Sequence, residues 1–283
     1  MSPETNPSKK LVDLHIHTRY SDGVCTLEEI MEAAAARGLA AISITDHDCT
    51  GAYPQALEMG TAMGIEVIPG VELSSEIQGI DIHILGYYVD FNNAAFIAKL
   101  QEMKEARYLR AQKMVSNLNK QGIDLRFDTV LSIAGEGSIG RPHIATAMLK
   151  EEFVFSFREA FDKFIGYDSP AYVEKLQMSP KEVFDLIKSA GGVPVLAHPG
   201  VTKVDERIQE FIRDGLQGIE AGHAEHPDAA IRHYLKICKK NGLAFTGGSD
   251  FHSSGRSKFE LGFPPVSYAA VESLKEKLCK RSR

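Results

Sequence analysis

Two histidine-containing motifs near opposite ends of the chain constrain its fold more than any other feature. The residues DLHIH stand at 13–17 and the residues SDFH stand at 249–252. Each motif follows a short apolar run that is typical of a buried strand, and alternate residues of a strand point to the same face. The two imidazoles of the first motif therefore share a face. A chain that folds back to bring both motifs together would build one metal site, which predicts a metal-dependent hydrolase.

Strand-like apolar runs alternate with helical segments along most of the chain. Helix starts are marked by capping signals such as TLEE at 26–29 and SPKE at 179–182. This alternation predicts a parallel α/β fold. Strands are predicted at 11–15, 39–45, 66–68, 81–88, 193–197, 218–220 and 244–246. Residues able to bind metal cluster at the ends of these runs, where barrel active sites lie, so a barrel is favoured over an open doubly wound sheet.

Residues 95–177 interrupt this alternation. One long amphipathic helix is predicted at 94–121, and shorter helices are predicted at 127–134, 141–150 and 156–164. We predict that 95–177 is a helical insertion that caps the strand ends. The barrel itself would then consist of two parts, at 9–94 and 178–277.

Composition limits the remaining possibilities. The chain has 283 residues, 43% of them hydrophobic, which is enough for one large domain with an insertion. A net charge of −6 does not indicate nucleic-acid binding by the surface as a whole. Four cysteines without a metal-binding spacing predict reduced thiols. Because we find neither a signal peptide nor a run of the ~20 apolar residues that span a membrane, we expect a cytoplasmic protein with no membrane association and no obligate protein partner.

The candidate ligands are imidazoles and carboxylates. Such mixed sets suit Zn, Mn or Fe, whereas Mg and Ca prefer oxygen ligands alone. The candidates are too numerous for one four-coordinate zinc, so we expect two to three divalent ions with a carboxylate such as Glu72 between them. Asp46 and Asp48 are expected to support ligands or to cap a helix. Metal clusters of this kind hold phosphate oxygens and produce hydroxide from water, as phosphoester hydrolysis requires.

Six segments, in order, resemble the PHP (polymerase and histidinol phosphatase) superfamily. They are DLHIHTRYSDG at 13–23, ITDHD at 44–48, PGVELS at 69–74, IHILGY at 82–87, VLAHPG at 195–200 and GGSDFH at 247–252. The resemblance covers nearly the whole chain. It implies a distorted (β/α)7 barrel, carrying the inserted helical cap, and a trinuclear metal site.

Carried over residue by residue, the resemblance implies three groups of metal ligands. The first metal would be held by His15, His17, Glu72 and Asp250; Glu72 would bridge to a second metal held also by His83 and His198; the third would be held by Asp22, His47 and His252. Asp22 stands where some family members have His, which leaves its effect on metal preference open. Manganese is the expected metal, with Fe and Zn compatible. Asp250, His252 and Glu72 are the predicted catalytic residues.

The segment GRPHIA at 140–145 begins a predicted helix, and an arginine at a helix N-terminus favours an anion. It resembles the GRPHxA motif of the branch that includes 3′,5′-nucleoside bisphosphate phosphatases and a 5′-to-3′ exoribonuclease. By resemblance, Arg141 and His143 would reach the substrate. His226 and Lys175 are further candidate phosphate contacts, although EHP stands here in place of the EHS of many members.

Other chemically capable side chains are given no substrate role. His223 is left without an assigned role. The cations of the long helix, Lys104, Arg107, Arg110 and Lys113, are expected to form a solvated, charge-paired face, with an RNA-guiding track as the minority interpretation.

The resemblance implies hydrolysis of the 3′-phosphate of a nucleoside 3′,5′-bisphosphate, such as adenosine 3′,5′-bisphosphate, to give the 5′-monophosphate. The nearest alternative is a 5′-to-3′ exonuclease acting on short 5′-phosphorylated RNA or DNA. GRPHIA and the cap disfavour a histidinol-phosphate phosphatase. An amidohydrolase acting on C–N bonds and a binding module without catalysis are weaker alternatives, because the TDHD and SDFH contexts favour phosphoesters and no expected ligand is missing.

Overall fold

The computed structural model describes residues 10–176, 178–252 and 260–281. The strands are β1 (Leu11–Ile16), β2 (Leu39–Ile44), β3 (Glu66–Val67), β4 (Gly70–Ile77), β5 (Ile80–Tyr87), β6 (Val193–Leu196), β7 (Gly218–His223), β8 (Ala244–Gly248) and β9 (Val266–Ser267). The helices are α1 (Leu27–Ala36), α2 (Tyr53–Met63), α3 (Ala94–Lys120), α4 (Phe127–Ala134), α5 (Arg141–Lys150), α6 (Phe157–Ala160), α7 (Pro180–Ser189), α8 (Pro199–Thr202), α9 (Ile208–Asp214), α10 (Asp228–Asn241) and α11 (Ala269–Arg281). A π-helical turn, Phe161–Ile165, continues α6, and a short 3₁₀ turn, Asp205–Arg207, precedes α9.

The predicted capping signals form at two helix starts. At α1, the Thr26 hydroxyl accepts the N–H of Glu29, while the Glu29 carboxylate accepts the N–H of Thr26. Ser179 and Glu182 make the same reciprocal pair at α7. Each pair satisfies backbone donors that a helix start leaves without intrahelical partners.

The strands form two sheets, in the orders β3-β2-β1-β9 and β4-β5-β6-β7-β8. β1 to β3 are parallel, and so are β6 to β8, but β5 is antiparallel to both of its neighbours and β9 is antiparallel to β1. The prediction of a parallel arrangement is therefore wrong around β5. β4, which the sequence did not predict, joins β5 through Gln78 and Gly79, whose φ values of +54° and +80° suit a two-residue hairpin turn.

Neither sheet closes on itself within the described residues, so the closed form of the predicted seven-stranded barrel is not observed there. The sheets approach each other where β1 and β2 end. Isolated bridges join Ile16 to Phe251 and His47 to Glu72. The first bridge brings the two histidine motifs to the same place, within the mixed α/β architecture that the sequence predicted.

Apolar side chains fill the space between the sheets. Leu14 of β1, Leu85 of β5 and Val195 of β6 belong to one buried cluster. Burying each such side chain contributes about 1.5–3 kcal/mol. The Tyr87 hydroxyl donates a hydrogen bond to the carbonyl of Leu14, 2.8 Å away, and so ties the sheets together next to the histidines.

The segment predicted as a helical insertion has a core of its own. Met114, Leu118, Val130, Ile144 and Ile165 belong to one cluster that gathers side chains from α3, α4, α5 and the π-helical turn. The predicted helices at 127–134 and 141–150 coincide with α4 and α5 at both ends. The boundaries predicted at 9 and 177 lie outside the described residues.

α3 connects this core to the rest of the chain. Its first half packs Phe96, Leu100 and Met103 against the sheet of β4 to β8. Across the described ranges, none of the helices combines the length and the apolar character that crossing a membrane requires.

Candidate metal centre

The end of β1 places two imidazoles side by side. His15 and His17 alternate along the strand, and their Nε2 atoms are 3.1 Å apart. Glu72 Oε2 lies 3.3 Å from His15 Nε2 and 3.2 Å from His17 Nε2. Asp250 Oδ1 lies 3.3 Å and 3.1 Å from the same two atoms. The four residues predicted to share the first metal are thus brought together.

Glu72 occupies the middle of the cluster and is fully buried. Its Oε1 atom lies 3.0 Å from His83 Nδ1 and 3.3 Å from His198 Nε2. Its Oε2 atom lies 3.0 Å from His47 Nδ1. The two oxygens of one carboxylate therefore face different histidines, so this carboxylate could be shared between two ions.

The third predicted group also converges. Asp22 Oδ1 lies 3.2 Å from His252 Nε2 and 3.9 Å from His47 Nε2. The rings of His17 and His252 stack with their centroids 4.0 Å apart. By mutual distance, the ligand atoms within 4.8 Å of one another fall into three sets: His17, Asp22, His47 and His252; His15, His17 and Asp250; and His47, Glu72 and His83. His17 and His47 each belong to two sets, a sharing that the sequence did not predict.

The nitrogen and oxygen atoms of the cluster are better suited to binding divalent ions than to hydrogen-bonding with one another. Glu72 Oε2 and His47 Nδ1 are buried and 3.0 Å apart, yet neither forms a hydrogen bond with any described residue. Leaving buried polar atoms without partners is costly. Nitrogen and oxygen donors that converge in this way match the ligand preferences of Mn, Fe and Zn.

Burial and neighbouring charge shift the pKa values of the cluster in opposite directions. Burial lowers the pKa of His47 to about 3, which keeps this imidazole neutral and able to bind a metal. Burial also opposes the charged form of His17, but the adjacent carboxylates of Asp250 and Glu72 outweigh it and raise its pKa to about 10. Burial works against ionised Glu72 as well, yet the surrounding imidazoles hold its pKa well below the usual range.

Glu220 of β7 supports two of the histidines, although no role for it was predicted from the sequence. Its Oε1 atom accepts a hydrogen bond from His15 Nδ1–H at 2.9 Å, and its Oε2 atom accepts the backbone N–H of His198 at 2.8 Å. The first bond fixes the tautomer in which His15 Nε2 faces Glu72 and Asp250. The second holds His198 at a φ of +28°, an uncommon backbone conformation for this residue type. The only sequence signal was a carboxylate at the end of an apolar run.

Two aspartates beside the ligands are occupied by protein donors. Asp46 accepts hydrogen bonds from the Thr18 N–H and hydroxyl and from the Ser21 hydroxyl. Asp48 accepts the N–H of Ser74 at 2.9 Å and pairs with Arg107. These donors are residues other than the proposed ligands, so the expectation that Asp46 and Asp48 support ligands stays a prediction.

A cavity of about 320 Å³ opens from the histidine cluster towards the insertion. Asp22, His47, His83 and His198 line one part of it. Four cationic side chains line another part: Arg107, Arg110, Arg141 and Lys175. We call these four side chains the basic wall. Two of them, Arg141 and Lys175, are the cations predicted from the sequence to contact phosphate.

Asp81 joins two members of the basic wall. Lys175 forms an ion pair with Asp81, and Arg141 Nη2 lies 3.8 Å from Asp81 Oδ2. Arg141 also donates a hydrogen bond to the Tyr167 hydroxyl at 3.1 Å and lies over that ring. Burial lowers the pKa of Lys175 despite the attraction of Asp81. These contacts hold the two cations at the cavity.

The expectation of a solvated face on the long helix is wrong for Arg107 and Arg110. Arg107 donates to Asp48 Oδ2 through Nε at 2.7 Å and to the Ser74 hydroxyl through Nη2 at 2.9 Å. Arg110 donates to the Val173 carbonyl at 2.6 Å, and burial together with Arg141 lowers its pKa to about 10. The helix packs its apolar side across the sheet, which turns this edge towards the cavity. Lys104 remains exposed and donates to the Glu136 carbonyl.

Two predicted substrate contacts use their ring nitrogens within the protein. His226 Nε2 accepts the N–H of Gly200 at 3.1 Å, and its Nδ1–H donates to the Ala221 carbonyl at 3.0 Å. His143 Nδ1 accepts the N–H of Gly140 at 2.9 Å and so caps its own helix. His226 and His143 are both buried and are not among the described residues that line the cavity.

His223, which the sequence left without a role, lies beside the cluster. Its Nδ1 atom accepts the N–H of Glu225 at 3.1 Å. Its Nε2 atom lies 3.5 Å from Asp250 Oδ2. Because the Nδ1 atom is an acceptor, the neutral ring carries its proton on Nε2, which directs an N–H towards Asp250.

Comparisons with known proteins agree with this geometry. The PHP domain family matches residues 13–246. A 3′,5′-nucleoside bisphosphate phosphatase of Chromobacterium violaceum is 33% identical, covering 90% of this chain and 93% of its own. A 5′-3′ exoribonuclease of Haemophilus influenzae is 29% identical, covering 86% of this chain and 90% of its own. A solved structure from Bifidobacterium adolescentis, named as a metal-dependent phosphoesterase, superposes with a TM-score of 0.87 at 30% identity, covering 97% and 98% of the two chains.

Proposed function

Since this chain belongs to the PHP domain family of phosphoester hydrolases, we propose that it removes the 3′-phosphate of nucleoside 3′,5′-bisphosphates and releases the 5′-monophosphate. The observation that carries this proposal is the placing of the basic wall and the histidine–carboxylate cluster in one cavity. One phosphate would react at the cluster. The other would be held by the wall.

The charges of the basic wall support the proposal that it binds the second phosphate of the substrate. Arg107, Arg110, Arg141 and Lys175 face two carboxylates, Asp48 and Asp81. Cations therefore exceed the acidic groups that contact them. Arginine offers forked donors that match phosphate oxygens. The cavity of about 320 Å³ is at the small end of ligand sites, which favours a substrate the size of a nucleotide.

We propose that the cluster holds two or three divalent ions, with manganese preferred and Fe or Zn compatible. His15, His17, Glu72 and Asp250 would hold one ion, Glu72 with His83 and His198 a second, and Asp22, His47 and His252 a third. When bound, such ions stabilise charge on phosphoryl oxygens and lower the pKa of water. Glu72, Asp250 and His252 would take part in catalysis as ligands of these ions.

The protein's own contribution is orientation and charge. Glu220 fixes the His15 ring, and Arg141 and Lys175 hold the distal phosphate so that the 3′-phosphate lies against the cluster. Holding a substrate in its reacting geometry is itself a large part of catalysis. We further propose that the two sheets, which meet at the bridges near His47 and Phe251, are the walls of the distorted barrel that the family resemblance predicts.

A 5′-to-3′ exonuclease is the second candidate. The exoribonuclease relative favours it, and a basic wall suited to a 5′-phosphate would hold the end of an oligonucleotide equally well. Both activities break a bond at a 3′ phosphoester beside a 5′-phosphate. They differ in whether the cavity admits a chain beyond the reacting phosphate.

The test incubates Mn-loaded protein with adenosine 3′,5′-bisphosphate and, separately, with a 5′-phosphorylated RNA pentamer, and separates the products by chromatography. Conversion of the bisphosphate to 5′-AMP, with the pentamer little changed, supports the phosphatase. Stepwise release of mononucleotides at comparable efficiency supports the exonuclease. The Asp250→Ala variant is the control and should be inactive on both. Turnover of neither substrate by metal-loaded wild type contradicts both assignments.

A further inference from the structure

The loop 135–140, which joins α4 to α5, is fastened to the metal-binding side of the cavity. The Ser138 N–H donates to the Tyr20 carbonyl at 2.9 Å. Gly137 approaches the backbone of the same segment so closely that a Cβ atom would stand 2.8 Å from the carbonyl oxygens of Arg19 and Tyr20. Asp22, a proposed metal ligand, lies two residues after Tyr20. The loop therefore has a fixed position relative to the cluster.

The long helix holds the loop from its other side. Lys104 donates to the Glu136 carbonyl at 2.6 Å, and Arg107 donates to the Ile139 carbonyl at 3.3 Å. The loop then continues into Gly140 and Arg141 at the start of α5, both of which line the cavity. Held from two sides, it is a rigid part of the cavity lining.

The Ser138 hydroxyl is the unexplained group of this loop. Ser138 lines the cavity and is 2% exposed. Its hydroxyl oxygen has no hydrogen-bond partner among the residues that the structure describes, although its backbone N–H is satisfied. A buried hydroxyl without a partner destabilises a fold. At the boundary of a substrate cavity, such a group is explained by a partner that the substrate supplies.

We propose that Ser138 is a substrate-binding residue whose hydroxyl donates a hydrogen bond to a phosphoryl oxygen. The inference rests on the proposed function. Three neighbours point to an anionic partner: Arg107 and Arg141 belong to the basic wall, and the N-terminus of the ten-residue helix α5 carries a partial positive charge. Either the reacting or the distal phosphate would supply the same acceptor oxygen, and the experiment separates the two.

The experiment compares Ser138→Ala with wild type in kcat/KM and in melting temperature. Deleting the hydroxyl should lower kcat/KM for adenosine 3′,5′-bisphosphate about 10-fold or more, because a hydrogen bond to a charged oxygen is lost. The melting temperature should stay the same or rise, because no bond within the protein is removed. A purely structural role would lower the melting temperature.

Ser43→Ala is the matched control. Ser43 is also buried, but its hydroxyl donates to the Ile68 carbonyl at 2.9 Å, away from the cavity lining. This variant should lower the melting temperature and leave kcat/KM near the wild-type value. The two serines should thus affect stability and activity in opposite ways.

Adenosine 3′-monophosphate separates the two phosphates. A penalty of Ser138→Ala that disappears with this substrate assigns the hydroxyl to the distal phosphate, and a penalty that persists assigns it to the reacting one. A kcat/KM within twofold of wild type on both substrates, or a melting temperature that falls as in Ser43→Ala, would overturn the inference while the proposed function stands. A wild-type protein inactive on both substrates would overturn the proposed function and this inference with it.

Discussion

Glu220 is the most informative single position, because both of its oxygens accept a hydrogen bond from the metal centre. Oε1 accepts His15 Nδ1–H at 2.9 Å and Oε2 accepts His198 N–H at 2.8 Å, with the carboxylate fully buried. Glu220→Gln keeps the shape but leaves only one acceptor. If the amide oxygen remains with His15, the NH₂ group faces the His198 N–H. If the amide group is rotated by 180°, its NH₂ group faces His15 Nδ1. His15 must then carry its proton on Nε2, and this nitrogen can no longer bind a metal.

The first arrangement sets a donor against a donor, the second imposes the His15 tautomer that does not bind metal through Nε2, and both lose hydrogen bonds to a charged acceptor. We therefore expect the free energy of unfolding of the metal-free protein to fall by about 1–3 kcal/mol. The Mn affinity should fall by about 10- to 100-fold, the range typical of losing a group that orients a metal-binding histidine.

The measurement is competition for Mn with a fluorescent chelator, together with urea unfolding of the metal-free protein. Glu66→Gln is the control, because Glu66 pairs with Lys275 outside the cavity lining and its loss should not change Mn affinity. A folded Glu220→Gln protein with wild-type Mn affinity would refute the reasoning.

Three further predictions concern other buried groups. Arg107→Met should lower the free energy of unfolding by about 3–5 kcal/mol, because Asp48 stays buried without its cation. In urea unfolding, the double variant with Asp48→Asn should recover part of the lost stability. If it recovers none, the proposed pairing is contradicted. His226→Ala should lower the free energy of unfolding by about 1–3 kcal/mol without changing the preference for substrates with a 5′-phosphate. A changed preference in kinetic assays would indicate that His226 contacts the phosphate. Burial raises the pKa of the Cys238 thiol to about 12, so this thiol should resist iodoacetamide at pH 8 while the exposed Cys279 reacts. The free energy of unfolding should fall as the pH rises above about 9, where the thiol of the unfolded chain ionises. Equal labelling of the two cysteines in the native protein, measured by mass spectrometry, would contradict this prediction.

The convergence of the histidine motifs was predictable from the sequence because it depends on local rules. His15 and His17 share a face through strand alternation, and His47, His198 and Asp250 follow strands whose ends meet. The family and the hydrolase class, predicted from six ordered motifs, are confirmed by the match over 13–246 and by the phosphoesterase relatives. The individual roles of the ligands stay predictions.

Several groups could not be placed from the sequence because their contacts depend on tertiary packing. Nothing local to Glu220 indicates that it accepts from His15, which lies 205 positions away. From the sequence, Arg107 and Arg110 are expected to be solvated cations. The packing of α3 instead directs them towards Asp48 and Val173. His226 follows a strand end like the ligands, but a sequence does not show whether its ring faces a cavity or the neighbouring turn at Gly200.

The hairpin between β4 and β5 was missed for a different reason. Its turn, Gln78-Gly79, lacks the Asn-Gly or Asp-Gly pair that most strongly marks such turns. The preceding Pro69-Gly70 also resembles a turn and not a strand start. The observed strand is held by eight residue pairings with β5, from Gly70 with Tyr87 to Ile77 with Ile80, which no local signal predicts.

The central claim is that the basic wall selects a substrate with a second phosphate. The most direct test is kcat/KM for adenosine 3′,5′-bisphosphate divided by kcat/KM for adenosine 3′-monophosphate, in wild type, Arg141→Met and Lys175→Met. We predict a wild-type ratio of about 10 or more and ratios that fall towards one in both variants, because only the bisphosphate loses a contact. A wild-type ratio near one would contradict the account.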